Sequence, residues 1–398
     1  MRIALSVGAI DFRLGGIMRF GWTTPIPVAL ALLGLCLAGA ATAQTESEQT
    51  RAHMGKIFEA MSFLLPLSLD EQKFQDPTRR EQILEALALL DRSTAELERH
   101  GRGQDAAFSH LSRSLAIDAR DIHERYEEGH LLEARFLVQA LTETCVACHS
   151  RLRSDDSTLS ERFVEKSAVS ELPPEQRAKL EYATRQFDRA LATYESLFAS
   201  PASSPSDLDL MGDFDEYLEL SVRVKGDLER PAKTLEKFVA RPDLSPTLAS
   251  ETRSWIRSLR ELQRRTPETS PLDDARAILK EAEDPERFSD ERDALVHYLY
   301  ASSLLHRLVA SKPDGDPSVA DAYYVLGVIE TKIGRSFWLS EAEAYLETAI
   351  RLAPGQPVAE NAYVLLEDYL VAGYTGSGGE NVPPDIRAKL DELKALVD

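Results

Sequence analysis

The sequence predicts an all-α chain, with an N-terminal four-helix bundle followed by a solenoid of shorter helices. Three observations carry that expectation. Apolar residues recur at i, i+3/i+4 and i+7 in stretch after stretch of the 398 residues. Aromatic residues make up only 7%, while Ala, Leu, Glu and Arg are abundant, a composition that favours helices. Asp76-Pro77, Gly101, Gly103 and Gly129 punctuate the first four periodic stretches. A hydrophobic content of 43% supports packed cores, and the length suffices for two or three domains.

The N-terminus reads as a secretory signal over residues 1–43. Arg19 supplies the basic region, an apolar run extends from Ile26 to Ala40, and Ala41-Thr42-Ala43 fits an A-x-A cleavage site before Gln44. The run is short for a membrane span, which needs about 20 apolar residues. The mature chain is therefore expected to be periplasmic, with no membrane span. Cys36 lies in the run after Leu35, a poor context for lipidation. Cleavage would remove Arg2, Arg13, Arg19 and Asp11 and take the formal net charge from −20 to −22. Such acidity argues against nucleic acid and anionic membranes as partners.

The four helices of the bundle follow in order. The first is expected from Glu46 to Leu65, with Met54, Phe58, Met61 and Leu65 on its stripe. The second starts after Asp76-Pro77, a cap residue followed by proline at the first helical position. Ile83, Leu87, Leu90 and Leu97 form its apolar face. The third carries Phe108, Leu111, Leu115, Ala119, Ile122 and Tyr126 and ends at Gly129. The fourth carries Leu137, Leu141, Cys145 and Cys148. Short connections make an antiparallel arrangement the natural one.

The fourth stretch ends in Cys145-Val146-Ala147-Cys148-His149. C-x-x-C-H is the attachment signature of one covalent haem c. Two thiols can form thioethers with the haem vinyl groups, and the adjacent imidazole can ligate the iron. On a helix, Cys145 and Cys148 share a face, and His149 lies one turn from Cys145. That face continues the Leu137–Leu141 stripe, so the haem would insert into the bundle core. A disulfide is the plain alternative in an oxidising compartment. A thioredoxin-like site would need a βαβ pattern, and a zinc site would need a fourth ligand; neither is visible.

With the motif at the end of a fourth helix, the segment 46–153 resembles the cytochrome c′ and c-556 family. Phe136, the Thr144-Cys145 junction and Arg153, four residues after His149, match its pattern. The resemblance implies His149 as proximal ligand, Arg153 close to it, and a sixth position facing the first helix. Met54 is the candidate there, giving six-coordinate iron, with Met61 and His53 as alternatives. A bulky apolar residue would instead leave an open site for NO or CO. Relatives often dimerise, so a homodimer is an expectation. His100, His110, His123 and His130 read as solvated surface residues.

Residues 154–174 read as a polar linker closing in Pro173-Pro174. Residues 175–398 read as helical repeats. Tyr323, Leu326-Gly327, Ala342, Leu346, Ala349 and Pro354 resemble a tetratricopeptide (TPR) repeat, in which glycine permits close helix approach. Phe187, Ala190, Tyr194 and Leu197, and Gly226-Asp227 with Leu228, Leu235 and Phe238, resemble weaker copies. Further helices are expected near 245–265, 271–283, 290–311 and 357–373, with a flexible break at Gly376–Gly379 and a last helix after Pro383-Pro384. Arg253, Arg257, Arg260 and Arg264 form a basic stripe, read as a solvated face paired with neighbouring acids. His297 and His306 read as packing residues. No hydrolase or phosphate-loop motif is present. The expectation is a non-enzymatic, one-electron c-type cytochrome whose repeats dock a redox partner protein. The alternative is a haem protein that binds or senses NO or CO.

Overall fold

The computed structural model describes residues 48–101, 106–151, 172–266, 270–333 and 341–398. The expected signal segment, most of the expected linker, and Arg153 lie outside these residues. The chain is mostly helical, as the periodicity predicts.

Helix α1 covers residues 48–68, three residues beyond the expected end. A short α2 (Glu71–Phe74), not anticipated from the sequence, is capped by the Asp70 side chain, which accepts from the Lys73 amide. Asp76 caps a 3-10 turn at Pro77–Arg79, and α3 (Arg80–Gly101) follows directly. Helices α4 (Ala106–Glu128) and α5 (Leu131–Arg151) are joined through Gly129 at φ +91°, a left-handed conformation that suits glycine.

Side-chain bonds fix the relative directions of these helices. Arg135 Nη1 and Gln139 Nε2 on α5 both donate to the Ser68 carbonyl at the end of α1, at 2.9 and 2.6 Å. His53 and Lys56, early in α1, reach Glu96 near the end of α3. Arg80 at the start of α3 donates to the Tyr126 and Glu127 carbonyls at the end of α4. Sequential neighbours therefore run antiparallel, and α1 runs antiparallel to α5. Their shared core holds Ile57, Leu64, Leu87, Leu90, Ile122, Val138 and Leu141. Burial of such side chains stabilises by roughly 1.5–3 kcal/mol each.

The remaining helices are α6 (Pro174–Ala183), α7 (Phe187–Ala199), α8 (Pro205–Leu210), α9 (Asp213–Leu218), α10 (Glu229–Phe238), α11 (Pro246–Leu262), α12 (Pro271–Ala282), α13 (Leu295–Ser311), α14 (Pro317–Ile333), α15 (Glu341–Leu352), α16 (Pro357–Gly373) and α17 (Pro384–Val397). Serine side chains cap α8, α11 and α12, each ahead of a proline at the first helical position. A π-helical turn, Glu219–Val224, extends α9. A second continuous core runs from Ala178 to Leu393 and includes Phe198, Phe214, Tyr217, Phe238 and Trp255.

Two features differ from expectation. Gly376–Gly379 forms a tight antiparallel hairpin, pairing Thr375 with Glu380, with Gly379 at φ +96°. Leu172 and Leu180, from the expected linker and the first helix beyond it, are buried in the N-terminal core with Leu141. α5 packs on α6 and the π-helical turn, and α4 packs on α15, so the two cores abut.

Candidate haem-attachment site

The whole C-x-x-C-H motif is helical and occupies the last two turns of α5. Cys145, Cys148 and His149 are all partly buried, one turn or less apart. Both cysteines are thiols. Cys145 Sγ donates to the Leu141 carbonyl at 3.4 Å. Burial, reinforced by the neighbouring Cys148, pushes its pKa up to about 12, so it stays a protonated thiol. Leu141, one turn earlier, is only 2% exposed, so the motif continues a buried stripe.

His149 has one defined partner. Its Nδ1 sits within hydrogen-bond distance of the Ala183 carbonyl, at the C-terminus of α6. A carbonyl only accepts, so Nδ1 carries the proton and the Nε2 lone pair is left available. Burial pulls the imidazole pKa down; the Ala183 bond opposes that shift and the Arg185 charge adds to it. A neutral imidazole with Nδ1 bonded to a carbonyl and Nε2 available is the usual state of a metal-ligating histidine. The donor set thus fits a covalently attached haem: two thiols on one helical face and an imidazole one turn away.

The sixth-position candidates come from α1. Ser68 lies level with the turn Arg135–Gln139 of α5. At about 1.5 Å per residue along two antiparallel helices, Met54 comes level with the last turn of α5, and Met61 level with the turn around Cys145. His149 falls between them, closer to the level of Met54. Met54 packs, partly buried, on the core that Leu141 enters, whereas Met61 is 5% exposed and lies within it. The His53 ring faces the Glu96 carboxylate at 3.0 Å. Arg153 lies outside the described residues. Phe136 is 58% exposed, away from the buried stripe.

Four other histidines have defined surroundings. His123 lies 3.4 Å from Asp91, and His130 lies 3.6 Å from Glu133. His297 is buried against Phe288, and burial takes its pKa down to about 3. His306 pairs with the Tyr345 hydroxyl at 3.2 Å. Of the basic stripe, Arg260 pairs with Glu229 and Glu236, while Arg253 and Arg257 are exposed and Arg264 falls beyond the end of α11. Among the described residues, no three His, Cys, Asp or Glu side chains converge to hold a bare metal ion. No described helix is long and apolar enough to cross a membrane.

Comparison of the chain with protein-family models, curated proteins and solved structures gives no match. The functional reading therefore rests on the motif and its surroundings. Ala183 and Arg185 were not foreseeable as neighbours of His149. They follow the motif by more than 30 residues, and no sequence pattern links the two segments.

Proposed function

We propose that this chain is an exported, periplasmic monohaem c-type cytochrome that carries single electrons. The observation that carries the reading is the helical C-x-x-C-H motif whose histidine keeps Nε2 available through the Nδ1 bond to Ala183. Cys145 and Cys148 would hold the haem as thioethers, and His149 would ligate the iron. Haem iron bound in this way cycles between ferric and ferrous states, carrying one electron.

The chain's own residues do the rest. Helices α1, α3, α4 and α5 form the haem module, read as a four-helix bundle of cytochrome c′ type. Leu141 and its core neighbours would exclude water, which penalises the extra charge of the ferric state and so raises the potential. The Met54 thioether is the sixth-ligand candidate because its level along α1 is nearest that of His149. A Met/His pair raises the potential and favours the reduced state. The C-terminal helices are read as a degenerate TPR-like solenoid. The supporting case is Gly327, where an added Cβ would lie 2.5 Å from Leu346 Cδ2. These repeats would dock a redox partner protein and contribute no chemistry of their own. The chain would form a homodimer.

The absorption spectrum of the reduced protein, produced with haem-attachment machinery, tests the reading. Sharp, well-resolved visible bands, lost on Met54→Ala, are the expected outcome. A broad high-spin spectrum that shifts with carbon monoxide would move the function to diatomic gas binding. His149→Ala is expected to abolish the native potential while the C-terminal helices stay folded. An unchanged potential in that variant would refute the ligand assignment.

A further inference from the structure

The turn that meets His149 has an unusual construction. α6 ends in a Schellman motif: the Gln186 amide donates to the Glu181 carbonyl at 2.8 Å, and the Arg185 amide donates to the Tyr182 carbonyl at 2.9 Å. The residue in the left-handed position is Arg185, at φ 63°, the only non-glycine residue with positive φ among those described. Glycine is usual there, because an L side chain in this conformation crowds its own backbone. Several contacts hold the turn. Thr184 Oγ1 donates to the Leu180 carbonyl at 2.7 Å, and Gln186 Nε2 donates to Thr184 Oγ1 at 2.8 Å. The Arg185 guanidinium lies over the Phe187 ring at 5.9 Å. One of the last carbonyls of the helix, that of Ala183, then meets His149. Such a carbonyl has no partner within its own helix and carries the negative end of the helix dipole.

We propose that this turn is a positioning device: the Ala183 carbonyl holds His149 with Nδ1 protonated and Nε2 aimed away from α6, so that the seating of α6 on α5 sets the redox potential of the attached haem. The inference rests on the haem reading above. A hydrogen bond from Nδ1–H to a carbonyl makes the other nitrogen a stronger donor and favours ferric iron. Because α6 is the first helix of the repeat array and also buries Leu180 in the haem-module core, an event that shifts the array would be felt at the iron. Redox potential and partner docking would thereby be coupled reciprocally.

The test compares Arg185→Gly with Arg185→Val. Both remove the guanidinium charge, so their difference reports the backbone alone. Glycine accepts the left-handed conformation, whereas β-branched valine does not. The Val variant is expected to have the higher midpoint potential, with a tenfold shift of the ferric/ferrous ratio reading as about 59 mV for one electron. Equal midpoint potentials in the two variants would overturn the proposal.

A second measurement needs neither haem nor a variant. Nitrogen-15 shifts of the His149 ring in the haem-free full-length chain are expected to report a protonated Nδ1 and an unprotonated Nε2. The reverse tautomer would overturn the proposal even if both variants failed to fold. A chain that accepts no haem yet keeps the Nδ1–H tautomer would leave the clamp standing as a structural contact and refute the haem reading instead.

Discussion

A buried carboxyl group without a partner leaves its mark on the pH dependence of stability, and Asp213 is such a group. It is fully buried at the start of α9, and neither oxygen has a hydrogen-bond partner among the described residues. Burial, with Glu216 nearby, pushes its pKa up to about 7 from 3.8. The folded state therefore holds the proton more tightly than the unfolded chain. The contribution of this residue to stability is greatest below about pH 4 and is lost as pH rises from there to about 7. Asp213→Asn is expected to melt with the parent at pH 4 and to be more stable at pH 8, by an amount on the order of 1–4 kcal/mol. Equal melting curves at pH 8 would contradict the assigned burial. Arg223 is the opposite case, a buried cation surrounded by acids. Its guanidinium donates to Glu219 at 2.9 Å and to Glu330, with Glu341 at 3.7 Å. Arg223→Met should destabilise by roughly 3–5 kcal/mol by leaving buried charges unpaired. Arg223→Met with Glu330→Leu should recover part of that loss in a double-mutant cycle. At this scale the sequence was legible where chemistry is written in adjacent residues. Cys145, Cys148 and His149 announce themselves, whereas Ala183 enters through a backbone carbonyl and has no side-chain signature.

Elements were legible wherever an apolar period met a capping signal. Asp76-Pro77 and Gly129 mark helix boundaries in the structure, and the helices expected near 245–265 and 271–283 begin at Ser-Pro pairs, whereas the helix after Ser204-Pro205 was not expected. Shorter features were missed because their information is not periodic. The four-residue α2 is too short to show a stripe, and the hairpin at 375–380 is made largely of glycine. The π-helical turn at Glu219–Val224 carries Arg223, whose partner Glu330 lies 107 residues away in sequence. The α14–α15 pair is the clearest case of a residue choice that sets packing. The Leu346 Cγ would lie 2.6 Å from a Cβ at Gly327, inside van der Waals contact. Gly327→Val is therefore expected to force the helices apart and cost about 1–3 kcal/mol, measured by denaturant unfolding. A variant as stable as the parent would mean that Leu346 simply changes rotamer.

The two cores are chemically interlocked at Leu172 and Leu180. Leu180→Ala removes a side chain 6% exposed, and such truncations cost about 2–5 kcal/mol. Because Leu180 packs in the N-terminal core, the loss should surface in α3, where amide hydrogen exchange at Leu87 and Leu90 is expected to quicken. Acceleration confined to residues 174–199 would mean that the cores are independent. This interlock could not be read from a sequence in which residues 154–174 look like a spacer. Leu172 is one of several scattered apolar residues in a largely polar stretch, and its burial is decided by the folded helices around it. There is a consequence for the order in which the molecule comes into being. A chain emerging from its N-terminus presents Cys145 and Cys148 some 30 residues before Leu180 appears. Until α6 arrives, the apolar layer around α5 lacks its last two members, Leu172 and Leu180. Arrival of α6 then seals the layer and brings the Ala183 carbonyl to His149, so on the proposed haem reading the order of the chain itself would leave the thiols open first and covered second.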